Sequence, residues 1–256
     1  MKEYTLITGA SSGIGYEMAK QLASKNYNLL LVARSEDKLL KLQQELKKQF
    51  NIEVEYLLYD LSEPNSAQDL YKQVQERKYL VTGLINNAGF GINKAFSTSQ
   101  MDAEQQMFDV LVRTPMRLMH TIIPGMKERK SGIIINNSSV ASFIAGGTYS
   151  AAKSYMTVLS ESMNTELASS GVKVSALCPG FTRTEFHERG RMKMGGLPNF
   201  MWLNADKLVA QSWKDALANK PVSIPGWQYK LLVGVISTIP RKFVRQIGMN
   251  VRKKQR

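Results

Sequence analysis

Apolar positions along the chain follow two rhythms. Short β-branched or apolar runs read as strands: "YTLIT" (4–8), "NLLLV" (28–32), "EVEYLLY" (53–59), "GLIN" (83–86), "GIIIN" (132–136), "VKVSALC" (172–178) and "VSIP" (222–225). Between them lie longer stretches of helical spacing. In "SEDKLLKLQQELKKQF" (35–50), Leu39, Leu42 and Leu46 share one stripe and lysines lie opposite. Strand and helix alternating this often predict an α/β fold, a parallel sheet of about seven strands with helices on both faces. No stretch reads as a linker, repeat or low-complexity block, so a single domain over 1–256 is expected.

Composition narrows the class. The 256 residues are 43% hydrophobic and 21% charged, ordinary values for a soluble globular chain long enough for a large core. "MKEYTLITGA" lacks the basic and long apolar regions of a secretory leader, and no apolar run approaches the roughly 18 residues of a membrane span. One cysteine, Cys178, excludes an internal disulfide and, ending an apolar run, reads as a small buried hydrophobe. A cytoplasmic location is expected. The net charge is +13, and seven of those charges belong to "RKFVRQIGMNVRKKQR" (241–256), which has no acid. With Phe243, Val244, Ile247, Met249 and Val251 interspersed, this tail suits an anionic membrane surface or a nucleic acid, or else a solvated terminus. Nucleic-acid binding is not expected, because the other basic residues form no stripe with aromatic partners.

The first turn carries the first chemical signal. "TGASSGIG" (8–15) follows the first strand directly, and a helix is expected from near Tyr16. Glycine at 9, 13 and 15 lets backbone turn tightly and approach a pyrophosphate, which the free N–H groups and dipole of the helix would attract. Ser11, Ser12 and Ile14 belong to the same loop. After the second strand the chain reads "VARSED". Where an unphosphorylated cofactor calls for an acid, Ala33 is followed by Arg34, whose guanidinium suits a 2′-phosphate. NADP is therefore expected over NAD.

"TGASSGIG" (8–15), "DL" (60–61), "NNAG" (86–89), "NSS" (137–139), "YSAAK" (149–153) and "PGFTRT" (179–184) stand in the order and spacing of a known group. The chain resembles the short-chain dehydrogenase/reductase superfamily over nearly its whole length. The resemblance implies a Rossmann-type doubly wound sheet, an NAD(P)-dependent oxidoreductase and, commonly, a dimer or tetramer. It implies that Asp60 and Leu61 hold the adenine and that Asn87, Ala88 and Gly89 shape the cofactor bed. Pro179, Gly180, Thr182 and Thr184 would face the nicotinamide, and a substrate lid would span about 185–203.

Tyr149 and Lys153 stand at i and i+4, one face of a helix starting near Thr148. A nearby ammonium favours the phenolate, so Tyr149 can pass a proton to or from a substrate oxygen near neutral pH. In the family pattern Lys153 also bonds the nicotinamide ribose, and Ser139 donates to the substrate oxygen. Of Ser138 and Ser139, strand alternation leaves one facing the cofactor, and the motif selects Ser139.

Two departures from the pattern stand out. Ser139 and Tyr149 are ten residues apart, where about thirteen is usual, so the loop "VASFIAGG" is short. In "MFDVLVRTPMRL" (107–118), Leu111 occupies the place of an asparagine that bends its helix and holds a water beside the lysine. Leucine can bond no water and favours a straight helix. No metal site is expected, since neither His120 nor His187 has a second ligand at metal spacing. In the lid, Gly195–Gly196 could hinge, and Met192, Met194, Phe200, Met201 and Trp202 suit an apolar carbonyl substrate. Two rivals remain: an NAD-dependent alcohol dehydrogenase, and an NADP-binding sensor or scaffold docked on membrane.

Overall fold

In the computed structural model, residues 2–186, 198–246 and 248 are described. Seven strands form one parallel sheet: β1 (Lys2–Thr8), β2 (Leu29–Ala33), β3 (Val54–Leu58), β4 (Tyr79–Asn86), β5 (Gly132–Asn137), β6 (Val172–Leu177) and β7 (Val222–Ser223). Their order is β3-β2-β1-β4-β5-β6-β7. The connecting helices are α1 (Gly13–Ala23), α2 (Glu36–Gln49), α3 (Ser66–Glu76), α4 (Met101–Phe108), α5 (Thr114–Glu128), α6 (Thr148–Glu166), α7 (Ala205–Leu217) and α8 (Trp227–Thr238). This is the doubly wound α/β fold of the Rossmann type.

Alternation along each strand feeds two cores. Leu6, Leu30, Val32, Leu84 and Ile134 pack under α3, α5 and α6 against Leu70, Leu118, Ile122 and Met156. Ile7, Leu29, Leu31, Ile85 and Ile135 pack on the opposite face under α1, α2 and α7 against Met18, Leu22 and Trp213. The leucine stripe of α2 belongs to this second core. Leu39, Leu42 and Leu46 are fully buried there, which contributes about 6 kcal/mol before entropy is counted.

Some boundaries differ from expectation. β7 is only two residues long, because Pro225 has no N–H to extend the ladder. α1 starts at Gly13, not near Tyr16, so Gly13 and Gly15 already lie in its first turn. The straight helix expected across Leu111 is absent. Asp109–Arg113 is a π turn joining α4 to α5, in which the Thr114 N–H bonds Asp109 O. Pro115 supplies the reason, since it cannot donate to the Leu111 carbonyl four residues back and its ring crowds that oxygen. Asp109 pairs with Arg113 at 3.2 Å and accepts from Gln105 at 2.8 Å. Arg113 also donates to Ser62 O at 2.8 Å, which ties the π turn to the loop after β3.

The topology fixes where a ligand can sit. β1 lies between β2 and β4. Connections from β1 and β4 therefore leave in opposite directions, and a crevice opens beyond their carboxyl ends.

Candidate active site

The crevice is a cleft of about 1290 Å³, larger than the usual range of small-molecule pockets. At one end β1 runs into Gly9, Ser11, Ser12 and Gly13. Gly9 has φ +67°, and a Cβ there would lie 2.8 Å from Ala88 Cα. Gly15 lies in α1 and does not border the cleft. A Cβ on it would stand 2.3 Å from Gly9 O and 2.4 Å from Asn87 Nδ2, so its role is to let α1 close onto the two loops. Ser12 caps α1 without a side-chain bond, and the first turn holds no acid. The positive end of the helix is left uncompensated and faces the cleft, an arrangement that fits a pyrophosphate.

Polar groups behind this turn tie β1, β4 and β5 together. Thr8 Oγ1 accepts from the N–H groups of Asn87 (2.9 Å) and Ala88 (3.1 Å). Asn87 Nδ2 donates to Thr8 O at 3.0 Å, and Asn87 Oδ1 accepts from Asn137 Nδ2 at 2.9 Å. Asn137 O in turn accepts from Lys153 Nζ at 2.5 Å. One continuous set of hydrogen bonds thus runs from the glycine turn to the lysine.

Lys153 is 4% exposed, and burial lowers its pKa from 10.5 to about 8. Leu111 supplies part of that apolar wall. A Cβ on Gly89 would lie 2.7 Å from Leu111 Cδ2 and 3.9 Å from Lys153 Nζ, so Leu111 reaches the glycine beside the ammonium. One turn earlier on α6 stands Tyr149, whose ring centroid is 5.7 Å from Lys153 Nζ and 6.1 Å from the ring of Phe186. Ser139 begins the 3₁₀ turn Val140–Phe143 that fills the short loop, and its Oγ accepts from Ala141 N at 3.1 Å. Ser138 is buried and committed elsewhere, donating to Lys153 O at 2.8 Å and bonding Thr157 Oγ1 at 2.6 Å.

Ser139, Tyr149 and Lys153 line the same cleft as the glycine turn. So do Ile14, Asp60, Leu61, Asn87, Ala88, Gly89, Pro179, Gly180, Thr182 and Thr184. Arg34 lines it too, mostly exposed and 3.3 Å from Asp60. Asp60 also accepts from the N–H and hydroxyl of Ser62. These bonds hold its carboxyl below the usual range although burial opposes them.

Several lining or supporting groups had no sequence signal. Glu104 of α4 accepts from Thr148 Oγ1 at 2.6 Å, which anchors the residue before Tyr149. Tyr229 of α8 accepts from Phe181 N at 3.0 Å and donates to Met201 O at 2.5 Å, holding the segment after β6 against that helix. Its neighbours Leu232 and Ile236 face the cleft, as do Met201 and Phe186 from the segment expected to form the lid. Of the expected lid, Phe200 is exposed and Trp202 stacks with Arg183. His187, Met192, Met194 and Gly195–Gly196 lie outside the described residues.

Residues 3–194 match the sequence model of the short chain dehydrogenase family. The chain belongs to that family. It is 29% identical over 223 residues to ketoacyl reductase HetN of Nostoc sp., covering 86% of this chain and 76% of that one. A short-chain dehydrogenase from Sphingobium yanoikuyae, solved with NADPH, is 29% identical, with a TM-score of 0.82 and coverage of 94% and 97%. The bulky-bulky ketone specific alcohol dehydrogenase of Comamonas testosteroni is 26% identical, with a TM-score of 0.77 and coverage of 94% and 96%. This short-chain dehydrogenase is thus an oxidoreductase of the dehydrogenase/reductase kind, from a family that binds a nicotinamide cofactor.

Proposed function

We propose that the protein reduces a carbonyl to a secondary alcohol with NADPH, or runs the reverse with NADP, on an apolar or acyl-type substrate. The observation that carries this reading is the meeting of Tyr149, Lys153 and Ser139 in the cleft that the glycine turn opens.

The bound nicotinamide supplies the hydride. The phosphates would rest on the backbone of residues 9–15, and Arg34 would meet a 2′-phosphate. Lys153 keeps donors beyond the one given to Asn137 O, and these are available to ribose hydroxyls. Its charge favours an anionic Tyr149, so the phenol can deliver its proton to the substrate oxygen as negative charge develops there. Ser139 would donate a second bond to that oxygen and hold the carbonyl toward the nicotinamide face. In the alcohol-oxidising direction each proton moves the opposite way.

Ile144, Phe186, Met201, Leu232 and Ile236 give the far end of the cleft its apolar character, which suits a bulky or chain-like ketone. HetN, a ketoacyl reductase, and the Comamonas bulky-ketone enzyme are relatives in keeping with that class. Arg34 disfavours the NAD-dependent alternative. The sensor reading draws on Leu111, which leaves Lys153 without the polar neighbour of the usual pattern. As in much of the family, an assembly of two or four chains is expected, working in the cytoplasm.

The deciding test is NADPH consumption with a panel of aldehydes, ketones and 3-oxoacyl thioesters. Tyr149→Phe is expected to lower kcat about 10³-fold with NADPH affinity nearly unchanged. Equal turnover by Tyr149→Phe, or no turnover by the native chain with tight NADPH binding, would move the assignment to the sensor.

A further inference from the structure

α8 carries a second surface chemistry. It buries Tyr229, Val233 and Ile236 against the fold. Trp227, Leu231 and Val235, four residues apart on one outer stripe, are 71%, 63% and 51% exposed, and Leu232 beside them is 39% exposed. The one charge on this helix is Lys230. Exposed Phe200 extends the surface, since its carbonyl accepts from Gln228 Nε2 at 2.9 Å, and exposed Phe243 follows α8 in the chain. So dense an apolar face on a helix marks an interaction surface.

The charge along the chain around and after α8 has one sign. Nine basic residues and no acid follow Asp215 in the sequence. Among them Arg241, Lys242 and Arg245 are exposed directly after α8. Tryptophan and leucine beside unopposed basic residues match what a helix needs to lie in an anionic lipid interface. A second copy would bring like charges together, and a nucleic acid has no use for leucine and valine. No helix of the described residues is long and apolar enough to cross a membrane.

We propose that this face of α8 docks on an anionic bilayer. Trp227, Leu231, Leu232 and Val235 enter the boundary between headgroups and acyl chains, and Arg241, Lys242 and Arg245 rest against lipid phosphates. Leu232 also lines the cleft, as does Ile236 one turn on. Docking therefore sets the apolar end of the cleft at the lipid surface. Resting on the oxidoreductase reading, the substrate class becomes an amphiphilic ketone that enters from the bilayer and not from water.

Flotation of the full chain, without nucleotide or substrate, tests docking separately from catalysis. The vesicles are phosphatidylcholine with and without about a third phosphatidylglycerol. Binding is expected only with the anionic lipid, and L231D/V235D is expected to weaken it about ten-fold or more. Both positions are exposed, and unchanged NADPH binding by the double variant will show that the fold survives. Equal vesicle binding by native chain and variant would overturn the proposal, since the basic segment alone would then suffice. So would failure to bind anionic vesicles, or a dimer that L231D/V235D splits into monomers while vesicle binding stays. Vesicle binding without reduction of any ketone would uphold the docking surface and sink the reading of the cleft.

Discussion

At the glycine-turn end of the cleft, Gly9, Ser12 and Gly13 present backbone, and the groups behind them are locked by hydrogen bonds that Asn87 donates to Thr8. At the apolar end, Phe186, Met201, Leu232 and Ile236 present side chains from a segment and a helix joined by the Tyr229 hydroxyl and the Gln228 amide. The first end offers fixed N–H donors to a charged group and leaves little room for variation, because an added Cβ at Gly9 or Gly15 meets backbone. The second end offers apolar area without fixed directions, which suits a range of shapes. Between the two stand Tyr149 and Lys153. On the proposed reading, cofactor identity would be written in geometry close to the sheet, and substrate identity in side chains farther from it.

The largest test of that contrast is Lys153, where cofactor demands oppose stability. Burial holds its folded pKa at about 8 against 10.5. The unfolded state therefore binds the proton more tightly, so burial of the charge weakens folding below about pH 8, and the penalty fades as pH rises toward 10.5. The shift corresponds to roughly 3 kcal/mol, against about 2 kcal/mol for the charge-assisted hydrogen bond to Asn137 O. Lys153→Met should consequently lose about 10³-fold in turnover and yet gain about 1 kcal/mol at neutral pH, a gain that shrinks in alkali. Thermal melts across pH decide it, and a lower Tm for the variant would show that the amine is held more favourably than its burial implies.

Next comes Arg34, at the rim of the glycine-turn end. Arg34→Asp should weaken NADPH about 10- to 100-fold and leave NADH affinity nearly unchanged, measured by titration of nicotinamide fluorescence. The loss includes repulsion from Asp60, which Arg34 now partly neutralises. A variant that still prefers NADPH would place the 2′-phosphate elsewhere. The smallest effect is expected at Leu111. Because the π turn already exists without asparagine, Leu111→Asn need not rebuild the helix and only adds a polar group near Lys153. A two- to five-fold rise in kcat is expected. Unchanged or lower kcat would mean that the native proton route does not pass Leu111.

The sheet was legible in the apolar runs because the inner strands are buried on both faces over most of their length, β2 along all of it, and so read as near-continuous apolar stretches. The glycine turn and the Tyr149–Lys153 pair were legible for another reason: their geometry is local, set by one tight turn and by one helical turn. What escaped is long-range. Glu104 meets Thr148 across 44 residues, and Tyr229 meets Phe181 across 48. Leu111 pointed to a straight helix, and Pro115, four residues on, outweighed it. Gly15 was read as part of the phosphate loop, but its missing Cβ serves contact with Gly9 and Asn87.

By itself, then, the sequence determined the parallel sheet, the glycine turn, and a phenol and an amine on one helical face, since each follows from spacing within a few residues. Tertiary structure alone decided that the amine is buried beside Gly89, which Leu111 also reaches, and that it bonds the Asn137 carbonyl. It alone decided that α8 walls the cleft with one side and bares Trp227 and Leu231 on the other. Burial and dielectric are properties of what packs around a group, and the residues that pack here come from distant parts of the chain.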